Sequence, residues 1–172
     1  MKNYLILQFC FVFWIPGIAC DCKTIDDLKQ EQKSSFEQHS LIFIGKTTAI
    51  SSDGSYKLKI IELIKGNIED STIIGGITID YCSRFPNEIG EVWLVYTDKY
   101  SDGTINIPDC GLSRSYRFPF YPGSDYLPPP PPRLTYDDES MKRLNNKINA
   151  LEMYKRALVE LRSEIEQLRK WK

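Results

Sequence analysis

The chain has 172 residues, 42% of them hydrophobic and 26% charged, and its formal net charge is −1. This length predicts one ordinary domain with enough apolar residues to bury a core. With 22 basic against 23 acidic residues, no basic excess favours nucleic-acid binding.

Residues 1–19 are typical of a secretory signal peptide. Lys2 supplies a positive start, residues 4–15 are almost all apolar, and the small residues Gly17 and Ala19 precede a cleavage site before Cys20. The apolar run is shorter than the roughly 20 residues that span a bilayer, which favours a cleaved signal over an anchor. The sequence therefore predicts an exported protein, secreted, periplasmic or at the cell surface, that begins at Cys20.

A bacterial lipoprotein is the alternative interpretation of the same segment. In it Cys20 carries lipid, and only then is the protein expected at a membrane. Ala19 suits this interpretation, but Gly17 occupies a position where a Leu-like residue is usual. Lipidation would also leave an odd number of cysteines for pairing, so a free Cys20 is favoured.

After the signal, the apolar pattern predicts a helix followed by a β-rich region. Residues 24–40 form the predicted helix, with a capping-box-like start at Thr24 and Asp27. Alternating apolar and polar residues separated by turn signals predict five strands. The strands lie at residues 41–50, 56–64, 72–79, 91–96 and 104–107. Gly75 and Gly76 indicate a bulge or tight bend in the third strand.

Residues 118–136 are predicted to be a proline-rich linker. The unbroken run Pro128–Pro132 favours a stiff extended helix of about 16 Å. Such a run is able to dock a proline-reading domain, but no ligand register marks it, and a spacer between two bodies is favoured.

Residues 137–172 are predicted to form a long amphipathic helix, because they contain no Gly or Pro and end in basic residues. One apolar stripe follows its length, at Leu144, Ile148, Leu151, Tyr154, Leu158, Leu161, Ile165 and Leu168. The stripe either packs back on the β-rich part or pairs with a second copy as a coiled coil. Strict heptad order breaks near Tyr154, and membrane-surface binding ranks third.

The chain contains five cysteines, of which Cys10 leaves with the signal. Even cysteine counts in exported chains indicate disulfides, and Cys20, Cys22, Cys82 and Cys110 are the candidates. A Cys20–Cys22 bridge is disfavoured because one intervening residue strains the bond. A zinc site is disfavoured because there is only one close cysteine pair.

The mature N-terminus and several later motifs resemble the netrin-like superfamily, and within it bacterial secreted proteins similar to the N-terminal domain of tissue inhibitors of metalloproteinases. The matching segments are residues 20–22, 41–46, 61–66, 90–96 and 110–115, together with Cys82. The resemblance covers residues 20–117. It implies a five-stranded OB-type barrel with an N-terminal helix, stapled by Cys20–Cys82 and Cys22–Cys110.

In the animal inhibitors of this family, the α-amine and carbonyl oxygen of the first cysteine chelate the zinc of the target protease. The resemblance therefore implies a protease-binding edge at Cys20, Asp21 and Cys22, with no metal or cofactor of the chain's own. An α-amine with a pKa of about 7.7–8.0 is partly unprotonated near neutral pH. Asp21 departs from the usual Thr or Ser and places a carboxylate at the entrance to the target's specificity pocket.

The sequence thus predicts a disulfide-stapled binding module whose partner is a protein, by resemblance a zinc metalloendopeptidase that it inhibits. The alternative is a structural or interaction protein of the cell envelope, lipid-anchored at Cys20 and engaging partners, or a second copy, through residues 137–172. An enzyme is not expected, because His39 stands alone and no nucleophile–base pair or metal-ligand pattern is evident.

Overall fold

A mainly β fold with one helix near its start and one long C-terminal helix is seen in the computed structural model. The structure describes residues 22–76, 82–122, 124 and 139–172. Its helices and strands are α1 (Leu28–Gln38), β1 (Leu41–Ile50), β2 (Tyr56–Lys65), β3 (Thr72–Gly75), β4 (Ser83–Arg84), β5 (Val92–Thr97), β6 (Ile107–Pro108), β7 (Arg114–Ser115) and α2 (Glu139–Trp171). The predicted fold class is confirmed at this level.

Five strands form one antiparallel sheet in the order β3-β2-β1-β5-β7, and β4 pairs with β6 in a separate two-stranded ribbon. β1 lies at the centre, and its first five residues are buried. This burial explains the continuous apolar run that opens the strand, whereas β2 alternates buried and exposed positions at its start.

One residue outside the named strands, Ile105, links the two arms of the sheet. It forms a parallel bridge with Gly75 at the end of β3 and an antiparallel bridge with Lys99 just after β5. Its amide donates to the Ile74 carbonyl at 3.0 Å. A regular strand at residues 104–107 was expected, but this segment forms only the two bridges of Ile105 and the short β6. β6 ends at Pro108, which has no amide hydrogen to extend the ladder.

Other boundaries differ from expectation for local reasons. α1 begins at Leu28 because the carboxylate of Asp27 caps it, accepting from the backbone amides of residues 29 and 30. β3 ends at Gly75, where an added Cβ would lie 2.2 Å from the Tyr56 ring, so the glycine admits a close approach. The expected continuation at 77–79 lies outside the described residues, and the two-residue strands β4 and β7 were not predicted.

Two apolar clusters lie on the two sides of the sheet, and alternate residues of β1 enter each of them. Phe43 enters a cluster with side chains from β2, β3, β5 and β6. Its neighbours Ile42 and Ile44 enter a second cluster, which Leu161, Ile165 and Leu168 of α2 complete. The second half of α2 therefore packs back on the sheet, one of the two arrangements that its sequence left open.

The apolar stripe of α2 divides into two parts. Leu161 and Leu168 in its second half are almost fully buried. In the first half, Leu144, Ile148 and Leu151 are 51%, 44% and 68% exposed. None of the helices in the described residues has the length and apolar character needed to cross a membrane.

Glu164 carries a charge from α2 into this second cluster, where its side chain is fully buried together with that of Arg114. Arg114 Nη2 donates to one carboxylate oxygen at 2.5 Å, and Gln32 of α1 donates to the same oxygen at 2.8 Å. The Tyr96 hydroxyl donates to the other oxygen at 2.5 Å. Burial, followed by the Glu164 charge, raises the pKa of Tyr96 far above its usual value, so the phenol keeps the proton that it donates.

Replacing Glu164 with alanine is expected to lower the free energy of unfolding by about 3–5 kcal/mol, because Arg114 then keeps a buried charge without a partner. Urea denaturation of the Glu164→Ala variant measures this loss. The matched control is Glu166→Ala, two residues along the same helix, whose carboxylate is exposed and pairs with Arg162. The control is expected to stay within about 0.5 kcal/mol of the unmodified protein, and equal losses in both variants would contradict the assignment.

Candidate functional site

A disulfide ties the start of the described chain to its β-rich part. Cys22 is bonded to Cys110, 88 residues away in sequence, with a Cα–Cα distance of 5.0 Å. Cys82 is also disulfide-bonded. Cys20 and Asp21 lie outside the described residues, so the Cys20–Cys82 pairing stays a prediction.

The β4–β6 ribbon brings the two downstream cysteines to one place. Cys82 directly precedes β4 and Cys110 follows β6, and Ser83 is paired with Pro108. The Asp109 amide donates to the Cys82 carbonyl at 2.8 Å. The Asp109 carboxylate accepts from Arg84 Nε, also at 2.8 Å. The ribbon end is therefore held by backbone and side-chain bonds at the point where Cys22 is attached.

Residues 22–27 run from this disulfide to the start of α1 and are held at both ends. Cys22 is fixed by its bridge, and Asp27 is fixed as the helix cap. Between them Ile25 packs against the apolar cluster beneath α2. A depression of about 350 Å³ is lined by residues of this strip together with Cys110 and Leu112. The strip is therefore anchored at Cys22, two positions after Cys20.

A second depression, of about 540 Å³, is lined by both Cys82 and Cys110 and by polar residues at the ends of α1 and β5. Its charged centre is Asp98. One Asp98 oxygen accepts from the Ser40 hydroxyl at 2.7 Å and the Ser40 amide at 2.8 Å, while the other lies 3.1 Å from His39 Nδ1. Burial raises the pKa of Asp98, but the bonds from Ser40 and His39 outweigh it and hold the pKa below its usual value.

The cluster contains the three residue types of a catalytic triad, Ser40, His39 and Asp98. Their arrangement, however, is not that of a triad. In a triad the histidine lies between the serine and the aspartate. Here the serine and the histidine both contact Asp98, so the cluster joins the end of α1 to the end of β5. Sequence reasoning missed this contact, because no local pattern connects His39 to a residue 59 positions away. Within the described ranges, no three potential metal-ligating side chains gather.

Comparison with known proteins leaves the family open. No family model matches the chain, and no curated protein sequence matches it. The resemblance to the netrin-like superfamily accordingly rests on the cysteine order and the short motifs already described.

Removing the Cys22–Cys110 bridge is expected to lower the free energy of unfolding by about 4 kcal/mol, because a loop of this length constrains the unfolded chain strongly. Urea denaturation of the Cys22→Ala/Cys110→Ala double variant measures the effect under oxidising conditions. The same comparison in reductant is the control, and there the difference should vanish. An unchanged denaturation midpoint in oxidising buffer would contradict the expectation.

The lowered pKa of Asp98 predicts a pH-dependent contribution to stability. A carboxylate whose pKa is lower in the folded state stabilises the fold above its unfolded pKa, and the effect is lost as pH falls through the folded value. The stability difference between the unmodified protein and Asp98→Asn should therefore be largest near neutral pH and shrink below about pH 4. Asp70→Asn, at an exposed turn, is the control and should show no comparable difference.

Proposed function

We propose that this chain is an exported, disulfide-stapled binding module whose N-terminal edge, Cys20, Asp21 and Cys22, engages a zinc metalloendopeptidase and inhibits it. The observation that carries the proposal is the Cys22–Cys110 disulfide at the end of the β4–β6 ribbon, beside the disulfide-bonded Cys82. A strip anchored in this way supports the proposed position of the inhibitory edge.

The staple gives the edge a physical advantage in binding. Ordering a flexible segment on association costs free energy, and a bridge formed beforehand removes most of that cost. Cys22 is anchored only two positions from the proposed mature N-terminus. The free amine and carbonyl oxygen of Cys20 would then be presented to the target's zinc as a chelating pair with little freedom to lose.

The position of Ile105 supports the OB-type architecture that accompanies this function. An OB-type barrel closes when the two arms of its sheet meet through a segment that runs parallel to one arm and antiparallel to the other. Ile105 makes a parallel bridge to Gly75 and an antiparallel bridge to Lys99. We propose that residues 104–107 are the closing segment of such a barrel.

Asp21 defines the target that this edge would prefer. A carboxylate buried in an apolar specificity pocket without a partner costs several kcal/mol. The proposed target therefore carries a cationic or strongly hydrogen-bonding group in that pocket, unlike proteases whose pocket accepts Thr or Ser.

The test is an inhibition assay against a panel of zinc metalloendopeptidases, with the mature chain confirmed by intact mass to begin at Cys20. The matched control carries one additional alanine before Cys20, which converts the Cys20 α-amine into a peptide amide, moves the free amine one residue away and leaves the disulfides in place. Inhibition by the first and none by the second is expected. Equal inhibition by both, or none by either across the panel, would contradict the proposed mechanism.

The Asp21→Thr variant provides a second test of the same edge. On targets with an apolar specificity pocket, the substitution is expected to lower the inhibition constant by about tenfold or more, because it removes a carboxylate that would be buried without a partner. The measurement is the inhibition constant of each variant against the same protease, and an unchanged constant would show that position 21 does not enter the pocket.

A second candidate function is a cell-envelope interaction protein, lipid-anchored at Cys20. The exposure of Leu144, Ile148 and Leu151 on α2 favours it, because an uncovered apolar face on a charged helix is a common partner-binding surface. The intact mass of protein from its native host separates the two candidates, since acyl chains on Cys20 would block the inhibitory amine.

A further inference from the structure

A groove of about 990 Å³ lies between the β4–β5 region, the segment after β7 and the first half of α2. Cys22 does not line it, and the proposed function does not use it. Five aromatic side chains line it: Phe85, Trp93, Phe118, Phe120 and Tyr154.

The walls of this aromatic groove are fixed to each other. The Tyr154 hydroxyl on α2 donates to the Tyr116 carbonyl at 2.9 Å. The rings of Tyr154 and Phe120 lie edge to face with their centroids 6.3 Å apart. Because the second half of α2 is packed on the sheet, its first half is carried over the groove as a rigid wall.

The groove is open along one side, which determines the shape of its occupant. Phe85, Phe118 and Leu151 on its rim are 43%, 55% and 68% exposed. Sites for small molecules bury most of the ligand's surface. An open row of aromatic rings instead suits an extended segment of chain that lies across them.

The charges that line the groove do not favour a polyanion as its occupant. Arg84 is paired with Asp109, and Arg117 is paired with Glu88, so neither is free to attract phosphates. Lys147 lines the groove without an ion pair among the described residues. Nucleic acids and anionic membranes need several free cations, whereas one lysine suits a single acidic residue.

Trp93 indicates the polar contact that the occupant would make. Its side chain lines the groove, the residue is only 5% exposed, and its indole Nε1 has no hydrogen-bond partner in the described part of the chain. Nε1 is enclosed by neighbouring atoms, so the indole would have to turn toward the groove before a carbonyl oxygen of the occupant accepts from it. A buried donor without an acceptor is unfavourable, and this contact would satisfy it.

We propose that the aromatic groove docks a proline-rich segment of a partner protein, held in the polyproline II conformation with an acidic residue near Lys147. This conformation has no internal hydrogen bonds, so its carbonyl oxygens are free to accept from an indole. Its proline rings pack against aromatic side chains, and its low flexibility reduces the entropy lost on binding.

The experiment titrates the mature full chain with a synthetic peptide of six prolines flanked by aspartates, and follows Trp93 fluorescence in a Trp171→Phe background. A peptide of equal length and charge, with glycine and serine in place of proline, is the matched control. Saturable binding of the proline peptide alone is expected. Phe118→Ala should weaken it at least tenfold, and Lys147→Glu should weaken it and reduce its salt dependence.

Ile74→Ala is the control substitution, since Ile74 is 47% exposed on β3 and does not line the groove. It should leave the affinity unchanged. The proposal is overturned if the two peptides bind alike, if neither binds, or if Phe118→Ala has no effect. It is also overturned if binding appears only after Pro128–Pro132 are all replaced by serine, because the groove would then be the seat of the chain's own proline run.

Discussion

The buried carboxylate of Glu164 is the interaction on which the rest of the structure depends. A charge removed from water is tolerated only when its oxygens are fully hydrogen-bonded, and here three donors from α1, β5 and β7 converge on it. Their positions admit the carboxylate at one register of α2 alone. A slip of one residue along the helix would turn the carboxylate away from Arg114 and deprive all three donors of their acceptor.

Fixing α2 in this register determines both surfaces that carry functional proposals. Its second half completes an apolar cluster against which Ile25 of the N-terminal strip also packs. Its first half becomes one wall of the aromatic groove. The β4–β6 ribbon is connected to both, since Cys110 after β6 holds Cys22 and Arg84 of β4 lines the groove. The N-terminal strip and the aromatic groove therefore have separate contacts, but both are supported by α2 and the β4–β6 ribbon.

The sequence predicts the parts of this fold that repeat a pattern over many residues. The strands β1, β2 and β5 and the helix α2 have long runs of the appropriate period, and their positions were close to expectation. The Cys22–Cys110 bridge followed from the family resemblance, and the structure contains it. By contrast, β4 and β7 are two residues each, too short for any periodicity to be visible.

The candidate surfaces were harder to predict because they depend on contacts between distant residues. Glu164 is one of many acidic residues on α2, and its partners lie 50, 68 and 132 positions away. The division of the apolar stripe into a buried and an exposed half also cannot be predicted from the sequence, because Leu144 and Ile148 repeat the spacing of Leu161 and Ile165. Only the sheet on which the helix lies distinguishes the covered half from the open one. The aromatic groove was missed for the same reason.

The position of the buried half of α2 has a consequence for the order of events during synthesis. The cluster formed by Ile42, Ile44 and Leu94 closes only when Leu161 to Leu168 arrive, more than sixty positions later. A nascent chain elongates at about 5–20 residues per second and folds as whole units become complete. One face of the sheet therefore stays uncovered until almost the entire polypeptide has been made. If the chain is exported as proposed, this delay would keep it in a state that can be threaded through a translocation channel.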